Sequence, residues 1–228
     1  MKLKHLAIIC DGNRRWARKQ GLPELKGHQK GGDVVEALIN NGIELKIPVM
    51  SFWVMGVDNF DRSELEVAWL MKLNRIWGKK AFSKLKDKNV RLRLCGLRAK
   101  PAPKDVIEIY EKLEKDTADN TGMIVNICFN YGGHTEIIEA TKQIIADGLS
   151  PDEINEKTFE KYLWTDGLPN PDLIIRTSGE QRLSGFMLWQ CRYSEFYFPK
   201  YDFPDMNKEK LISAIDEFET RNRRYGKG

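Results

Sequence analysis

The sequence predicts an α/β domain built on a largely parallel central sheet of about six strands flanked by helices. Short apolar runs of strand length alternate with longer stretches in which apolar residues recur at helical spacing. Polar segments that contain glycine or arginine follow several of these runs at the point where a strand would end. Because ligands of open parallel sheets bind at the carboxyl ends of the strands, these segments predict one ligand site.

Six apolar runs predict the strands, since each is rich in β-branched or aromatic residues. In chain order they are His5 to Cys10, Ile47 to Met55, Val90 to Cys95, Met123 to Phe129, Leu173 to Thr177 and Glu195 to Phe198. Apolar residues with a period of 3.6 predict helices through residues 34–43, 65–77, 106–113 and 137–145. A further helix is predicted to start at Ser150-Pro151, where a capping hydroxyl precedes proline, and a last one over Asn207 to Arg223.

The composition is that of a globular protein, with 41% hydrophobic and 31% charged residues among 228. No linker, charge block or repeat divides the chain, which predicts a single domain over 1–228. The longest apolar runs are strand-sized and no signal-peptide pattern precedes them, so we expect a cytoplasmic protein without a membrane span. The four cysteines are widely spaced, which indicates buried thiols. The three histidines show no ligand spacing either, so the sequence does not support a zinc site.

The first apolar run ends at Asp11-Gly12-Asn13-Arg14-Arg15. Glycine lets backbone N–H groups approach a ligand closely, and arginine forks match phosphate oxygens. The segment therefore favours an anion site, with a metal ion. An ordinary turn followed by a solvated helix start is the alternative at this point.

Basic residues cluster in two further places. The loop after the fifth predicted strand carries Arg176 and Arg182 with several hydroxyls and a glycine, which suits a diphosphate. Arg221, Arg223 and Arg224 lie near the carboxyl terminus. The net charge of +4 is too small to indicate nucleic acid by itself, so convergence of the clusters on one anionic ligand is the favoured interpretation.

Several blocks, in order, resemble the cis-prenyltransferases, the undecaprenyl diphosphate synthase family, over essentially the whole chain. They are Asp11 to Ala17, Gly27-His28, Asp58 to Arg62, Asn130 to Gly133, Arg176 to Ser184 and Tyr193 to Phe198. The resemblance implies a homodimer whose α/β domain encloses a hydrophobic tunnel. It also implies Mg²⁺-dependent head-to-tail condensation of isopentenyl diphosphate with an allylic diphosphate such as farnesyl diphosphate, each added unit acquiring a cis double bond, and a product delivered to a membrane.

The same resemblance implies roles for individual residues. Asp11 would steer Mg²⁺ to the allylic leaving group, with Glu195 as a further metal ligand, and Asn59 would orient or relay in the proton step. The allylic site and its loop would use Gly12, Asn13, Arg14, Arg15, Trp16, His28, Gly56, Val57, Asp58, Phe60 and Arg62. The isopentenyl site would use Arg176, Arg182, Leu183, Ser184, Arg224 and Gly226. A helix-capping Asp11, a merely packed Trp16 and a solvated basic tail are the structural alternatives.

Three positions depart from the family pattern. Glu24 stands where members commonly have an arginine, and its charge is expected to weaken diphosphate binding. The usual Ser-x-Glu-Asn segment is Gly56 to Asn59, and Phe60 replaces a tryptophan.

Bulk along the second and fourth strands bears on product length. By the same resemblance, Val54 replaces a residue that is commonly small in long-chain members and Phe129 occupies another position that is often small, which favours a medium product over the longest ones. Two rival functions remain at this stage. One is a catalytically silent accessory subunit, although Asp11 and both diphosphate arginines are present. The other is a nucleic-acid module that uses residues 221–227, which would leave the tunnel strands unexplained.

Overall fold

The six apolar runs form one sheet in the computed structural model, which describes residues 3–80 and 82–221. All five strand pairs are parallel, in the order β3-β4-β2-β1-β5-β6. The strands are β1 His5–Ile9, β2 Val49–Gly56, β3 Arg91–Cys95, β4 Ile124–Tyr131, β5 Leu173–Arg176 and β6 Glu195–Tyr197. The predicted fold class and strand positions are confirmed.

Seven helices are present in the described ranges. They are α1 Asn13–Lys19, α2 Glu24–Glu44, α3 Glu64–Lys80, α4 Lys104–Asp116, α5 Gly133–Ala146, α6 Glu156–Glu160 and α7 Lys208–Thr220. One side of the sheet carries the larger core, to which α2, α3, α4 and α7 contribute apolar residues. On the other side, Phe186 and Met187 pack over β1, β4 and β5.

The helix predicted to start at Ser150 begins later. Ser150 and Glu153 cap a single 3-10 turn over Pro151–Glu153, and α6 starts after Asn155, whose side chain accepts a hydrogen bond from the Thr158 N–H. Two capping signals lie five residues apart here, and the second one begins the helix.

Helix α2 is longer than its apolar stripe predicts, because it runs through Gly31-Gly32 from Glu24. A Cβ at Gly32 would lie 2.0 Å from the Trp77 ring of α3, so the glycine lets the two helices pack closely over the end of the sheet. The helix propensity lost at these glycines is offset by that contact.

Two of the four thiols are buried in the sheet. Cys95 and Cys128 are buried, and all four cysteines are free. Within the described ranges, no group of three or more His, Cys, Asp or Glu is placed to hold a metal ion. No helix in the same part of the chain has the length and apolar character needed to cross a membrane.

Candidate active site

The carboxyl ends of β1, β2 and β5 open on a cavity of about 280 Å³. Its wall contains apolar groups from α2 and α3, among them Val35, Leu70 and Trp77. Polar predicted site residues gather at its mouth. Those that line the cavity are Asp11, Asn13, His28, Gly56, Asn59, Arg62, Arg176 and Ser184.

Asp11 is fixed by the strand beside it. Ile9 of β1 lies opposite Arg176 of β5, so the guanidinium reaches the carboxylate just beyond the end of β1, with Nη2 3.0 Å from Oδ2. Arg176 is 6% exposed and also donates to Ser184 Oγ at 2.8 Å. The Thr177 hydroxyl donates to the Asp11 carbonyl at 2.6 Å. The carboxylate is therefore held rigidly with one face toward the cavity.

Gly12 is packed where no side chain fits. Its φ is +103°, and an added Cβ would lie 2.2 Å from Ser178 Oγ and 2.5 Å from an Asp202 carboxylate oxygen. Asp202 is buried, accepts a hydrogen bond from the Ser178 hydroxyl and pairs with Lys19 at 2.6 Å. Sequence reasoning missed Asp202, and no local motif marks it as the support of the Asp11 loop.

Arg14 and Arg15 point to different partners. Successive helical residues are turned by about 100° about the axis, so the two guanidinium groups diverge. Arg14 approaches Glu66 at 3.5 Å, whereas Arg15 donates to Glu180 at 2.8 Å and to the Ser178 carbonyl. Arg14 therefore belongs to a cluster beside α3, and Arg15 belongs to the loop after β5.

Glu66 organises the first of these clusters. Its carboxylate accepts from Arg62 at 2.8 Å, lies 3.5 Å from Arg14 and is 3.8 Å from His28 Nε2, with its side chain 15% exposed. Arg62 and Glu66 are four residues apart across the start of α3, and this spacing was a signal for the pair that sequence reasoning did not use. We call Arg14, Arg62, His28 and Glu66 the α3 cluster.

Glu180 plays the same part in the second cluster. It pairs with Arg15 and with Arg182, and the pKa of its carboxyl is lowered by the hydrogen bonds from Arg182 and Arg15. We call Arg15, Arg176, Arg182, Ser184 and Glu180 the β5 cluster. Asp11 lies between the two clusters.

Two buried polar atoms at the mouth have no partner in the described part of the chain. They are Asn13 Oδ1 and His28 Nε2. Burial lowers the pKa of His28 to about 4; the charge of Arg62 adds to this effect and Glu66 opposes it. His28 is therefore neutral at physiological pH and can offer Nε2 to a ligand, with a donor or acceptor role set by its tautomer.

The low pKa of His28 predicts a pH dependence of stability. The folded pKa of His28, about 4, lies below the ordinary histidine pKa of 6.5, so the unfolded chain binds more protons between these values. Stability is then complete above about pH 6.5 and is lost as the pH falls toward 4. Burial lowers the pKa of His5 to the same value. Each histidine accounts for at most about 2 kcal/mol of unfolding free energy between pH 6.5 and pH 5.

Denaturant unfolding at pH 7 and pH 5 measures this loss. The variant His28→Gln is expected to lose about half as much unfolding free energy as the wild-type protein over that interval. An equal loss in the two proteins would contradict the assignment to His28.

Asn59 is held by its oxygen. Asn59 Oδ1 accepts a hydrogen bond from the Gly56 N–H at 2.9 Å, within the 3-10 turn Val57–Asp61 that follows β2. Its carboxamide nitrogen has no partner within residues 3–80 and 82–221, and the side chain lines the cavity. Asn59 is therefore oriented as an N–H donor to a ligand and not as a base.

Several predicted residues do not line the cavity. The Trp16 indole instead donates to Asp205 at 2.8 Å, away from the mouth. Glu195 pairs with Arg221 at 3.1 Å, and its neighbour on β5 is Leu173, three residues before Arg176. It thus lies about 10 Å down the sheet from the Asp11 end, so one chain does not bring the two proposed metal ligands together.

The remaining residues that were predicted to contact substrate also do not line the cavity. These are Gly12, Arg14, Arg15, Val57, Asp58, Phe60, Arg182 and Leu183. Arg224 and Gly226 lie outside the described residues. Val54 lines the cavity as expected, but Phe129 does not; its ring packs behind Tyr110 with a centroid distance of 5.3 Å.

Glu24 binds the arginines of α1. Its carboxylate lies 2.5 Å from Arg18 and 3.8 Å from Arg14, with 37% of the side chain exposed. Its carboxylate thus neutralises positive charge beside the α3 cluster.

The oxygen donors at the mouth of the cavity suit a magnesium ion that is bound partly by the protein and partly by a substrate. Asp11 offers a hard carboxylate oxygen at the mouth, and no second carboxylate from residues 3–80 or 82–221 lines the cavity. Mg²⁺ commonly binds through one or two carboxylates, water molecules and the phosphates of a substrate. Asp11 thus suits a magnesium ion that a diphosphate shares.

An apolar cavity whose mouth carries two separate sets of cationic side chains is suited to an enzyme that handles apolar molecules with anionic head groups. Comparison with known proteins gives the family. A family profile described as "Putative undecaprenyl diphosphate synthase" matches residues 9–226. Isoprenyl transferase from Clostridium perfringens is 41% identical over 98% of this chain and 89% of its own length. Isoprenyl transferase from Thermotoga maritima is 40% identical, with coverages of 98% and 96%.

Solved structures agree. Lavandulyl diphosphate synthase from Lavandula x intermedia, in complex with dimethylallyl diphosphate, superposes with a TM-score of 0.95 at 34% identity, covering 99% of this chain and 98% of that one. A probable undecaprenyl diphosphate synthase from Campylobacter jejuni gives 0.83 at 32% identity over the whole of both chains. The chain belongs to the undecaprenyl diphosphate synthase family and is a prenyltransferase.

Proposed function

We propose that this prenyltransferase condenses isopentenyl diphosphate head-to-tail onto an allylic diphosphate in a magnesium-dependent reaction. One observation carries the proposal. Two cationic clusters flank a single fixed carboxylate at the mouth of an apolar cavity. Two clusters suit two diphosphates, and the cavity suits the prenyl tail of one of them.

The allylic diphosphate would bind at Asn13, His28 and Arg62, with its tail in the cavity. Arg62 supplies charge, and the unpartnered His28 Nε2 would donate a hydrogen bond to the diphosphate in the tautomer that carries the proton there. Asn13 Oδ1 is an acceptor and would contact a water molecule instead. Isopentenyl diphosphate would bind at Arg176, Arg182 and Ser184. Because Glu66 and Glu180 already pair with these guanidinium groups, each diphosphate would exchange with a carboxylate as it binds.

The reaction breaks the allylic C–O bond, forms a C–C bond to the isopentenyl alkene and releases a proton. Mg²⁺ bound at Asp11 would supply charge stabilisation for the departing diphosphate. The side chains of Arg62 and His28 would hold that diphosphate as its charge grows. Asn59 would orient substrate through its N–H group, and the departing diphosphate or a water molecule would accept the proton.

A second copy of the chain is part of the proposal. Ile138 and Ile145 of α5 are 53% and 72% exposed and lie seven residues apart on one helix face. Covering this face in a homodimer would bury both. Light scattering is expected to give twice the chain mass, and the exposed-face variant Ile145→Lys is expected to shift the protein toward the monomer.

Product formation tests the proposal. Purified protein is incubated with radiolabelled isopentenyl diphosphate, a dimethylallyl, geranyl or farnesyl primer, and Mg²⁺ or EDTA. Label in products longer than the primer by whole five-carbon units, with Mg²⁺ only, is the expected result. No incorporation with any primer would contradict the proposal and favour a silent subunit.

The variant Asn59→Asp tests the donor role. Aspartate can still accept from the Gly56 N–H but has lost the carboxamide donor and carries a charge beside two diphosphates. We expect kcat to fall about 100-fold with little change in melting temperature. Turnover and a pH profile equal to wild type would exclude an essential amide donor.

The variant Glu24→Gln tests the departure from the family pattern. Removing the carboxylate frees charge on Arg14 and Arg18, and the pair is partly exposed, so the effect is modest. We expect KM for the allylic diphosphate to fall about two- to five-fold, with kcat and the KM for isopentenyl diphosphate unchanged. An unchanged or raised allylic KM would show that Glu24 does not oppose diphosphate binding.

A further inference from the structure

A buried hydrogen bond joins two helices in the wall of the cavity. Tyr110 of α4 donates through its hydroxyl to Asn74 Oδ1 of α3 at 2.6 Å, and Asn74 Nδ2 donates to the Leu70 carbonyl at 2.8 Å. Both side chains line the cavity, where Tyr110 is fully buried and Asn74 is 2% exposed. Neither residue belongs to a diphosphate cluster, and the proposed chemistry does not use them.

The pair lies at the end of the cavity away from the diphosphates. Helix α3 starts at the mouth, where Glu66 contacts Arg62 and His28. It then lines the cavity with Leu70 and Asn74, while the ring of Trp77, one turn further on, packs sideways against Gly32 of α2. Asn74 follows Glu66 by eight residues, which is about 12 Å along the helix axis.

For a prenyl tail that lies along α3 from the mouth to Asn74, this distance sets the length of the chain that fits. Three backbone bonds of an extended chain span about 3.5 Å, so the four bonds of an isoprene unit span about 4.5 Å. About 12 Å holds between two and three such units.

The cavity volume leads to the same result independently. A protein cavity of about 150 Å³ accommodates benzene, which has six carbon atoms. The cavity of about 280 Å³ includes the space beside the diphosphate-binding residues, so it accommodates at most on the order of eleven carbon atoms, or about two isoprene units.

We propose that the Asn74–Tyr110 pair is the end wall of the prenyl-binding cavity and stops the product at about two to three isoprene units. The inference rests on the proposed prenyl transfer and specifies its product class. Phe129 supports the wall from behind, since its ring packs against Tyr110. A longer chain would have to push the ring aside and leave the hydroxyl or the carboxamide oxygen without its partner in an apolar surrounding.

Substitution of Tyr110 tests the wall. Tyr110→Ala removes about seven non-hydrogen atoms, more than the five carbons of one isoprene unit, so we expect the main product to be one unit longer by mass spectrometry. Tyr110→Phe keeps the ring and removes only the hydrogen bond, so we expect a mixture of the wild-type product and one that is longer by one unit.

Tyr131 provides a matched control. It is also fully buried and donates through its hydroxyl to Glu136 at 2.7 Å, but it packs on the other side of the sheet. Tyr131→Phe and Tyr131→Ala are expected to keep the wild-type product length. Tyr110→Ala that turns over and makes only the wild-type product would overturn the inference.

A primer series with the wild-type protein needs no variant to fold. We expect turnover with dimethylallyl and geranyl primers. We expect kcat/KM with geranylgeranyl diphosphate to be at least ten-fold lower than with these primers, because its tail must pass Asn74. Equal use of all primers, or a main product of five or more units, would overturn the end wall while leaving prenyl transfer intact. Absence of product from every primer would instead reject the proposed function.

Discussion

Replacing Asp11 by alanine is expected to lower kcat/KM by about three orders of magnitude. Among the described residues that line the cavity, the Asp11 carboxylate is the single acidic group, and it lies between the α3 and β5 clusters. Removal of one preorganised group that stabilises developing charge costs about 10²–10³ in rate, and loss of a metal ligand adds to it. Steady-state assays over a range of Mg²⁺ concentrations measure the effect, and we expect the variant to show a weakened response to Mg²⁺.

Two comparisons isolate the role of this carboxylate. Asp33→Ala removes an exposed acid from α2 and is expected to retain activity within about two-fold. Asp11→Asn keeps the size of the side chain but not its charge, and it is expected to resemble Asp11→Ala in rate. Near-normal turnover in Asp11→Ala would reject the account of the centre.

The variant Gly12→Ala is expected to lower the melting temperature by about 6–12 °C and to abolish most activity. Its Cβ has no room against Ser178 and Asp202, and the backbone is in the left-handed region. A steric and conformational penalty of about 3 kcal/mol corresponds to that shift for a chain of this size. Displacing Ser178 or Asp202 would also move the loop that carries Asp11.

Gly21→Ala is the matched control for this experiment. Gly21 also has a positive φ, of +65°, but nothing lies within 4 Å of an added Cβ. It bears only the backbone penalty of about 1 kcal/mol, or about 2–4 °C. If calorimetry gave equal shifts for the two variants, the packing around Gly12 would not be what requires glycine there.

The strands and their direction were predictable because the sheet is buried on both faces. Such strands appear as continuous apolar runs, and polar residues at their ends mark the ligand edge. The placement of Asp11 beside Arg176 followed from the same rule. The start of α2 was not predictable, because two consecutive glycines, Gly31-Gly32, are typical of a helix boundary. Only the structure shows that Trp77 packs against Gly32 and that the helix continues through both glycines.

Contacts between distant segments account for what the sequence did not predict. Arg14 and Arg15 are neighbours in the chain but join different clusters, since the helix turns them apart. Asp202 supports the Asp11 loop from about 190 residues away in sequence. Glu195 belongs to a motif block with a family role, yet strand register places it down the sheet from Asp11.

Every arginine at the mouth is paired with a carboxylate. Glu66 pairs with Arg62 and Arg14, and Glu180 pairs with Arg15 and Arg182, while Asp11 pairs with Arg176. These five arginines and three carboxylates leave a surplus of two positive charges for an anionic ligand. The pairing also keeps the cationic groups in place before an anion arrives, which reduces the reorganisation needed on binding.

Simultaneous binding of the two substrates tests the two-cluster centre most directly. Calorimetric titration would use isopentenyl diphosphate and an allylic thiodiphosphate, whose C–S bond resists cleavage, with Mg²⁺ present. We predict that the two ligands bind together, one of each per chain. We further predict that Arg62→Gln weakens only the allylic ligand and Arg182→Gln only isopentenyl diphosphate, by about ten-fold each. Mutually exclusive binding, or one variant weakening both ligands equally, would contradict the account.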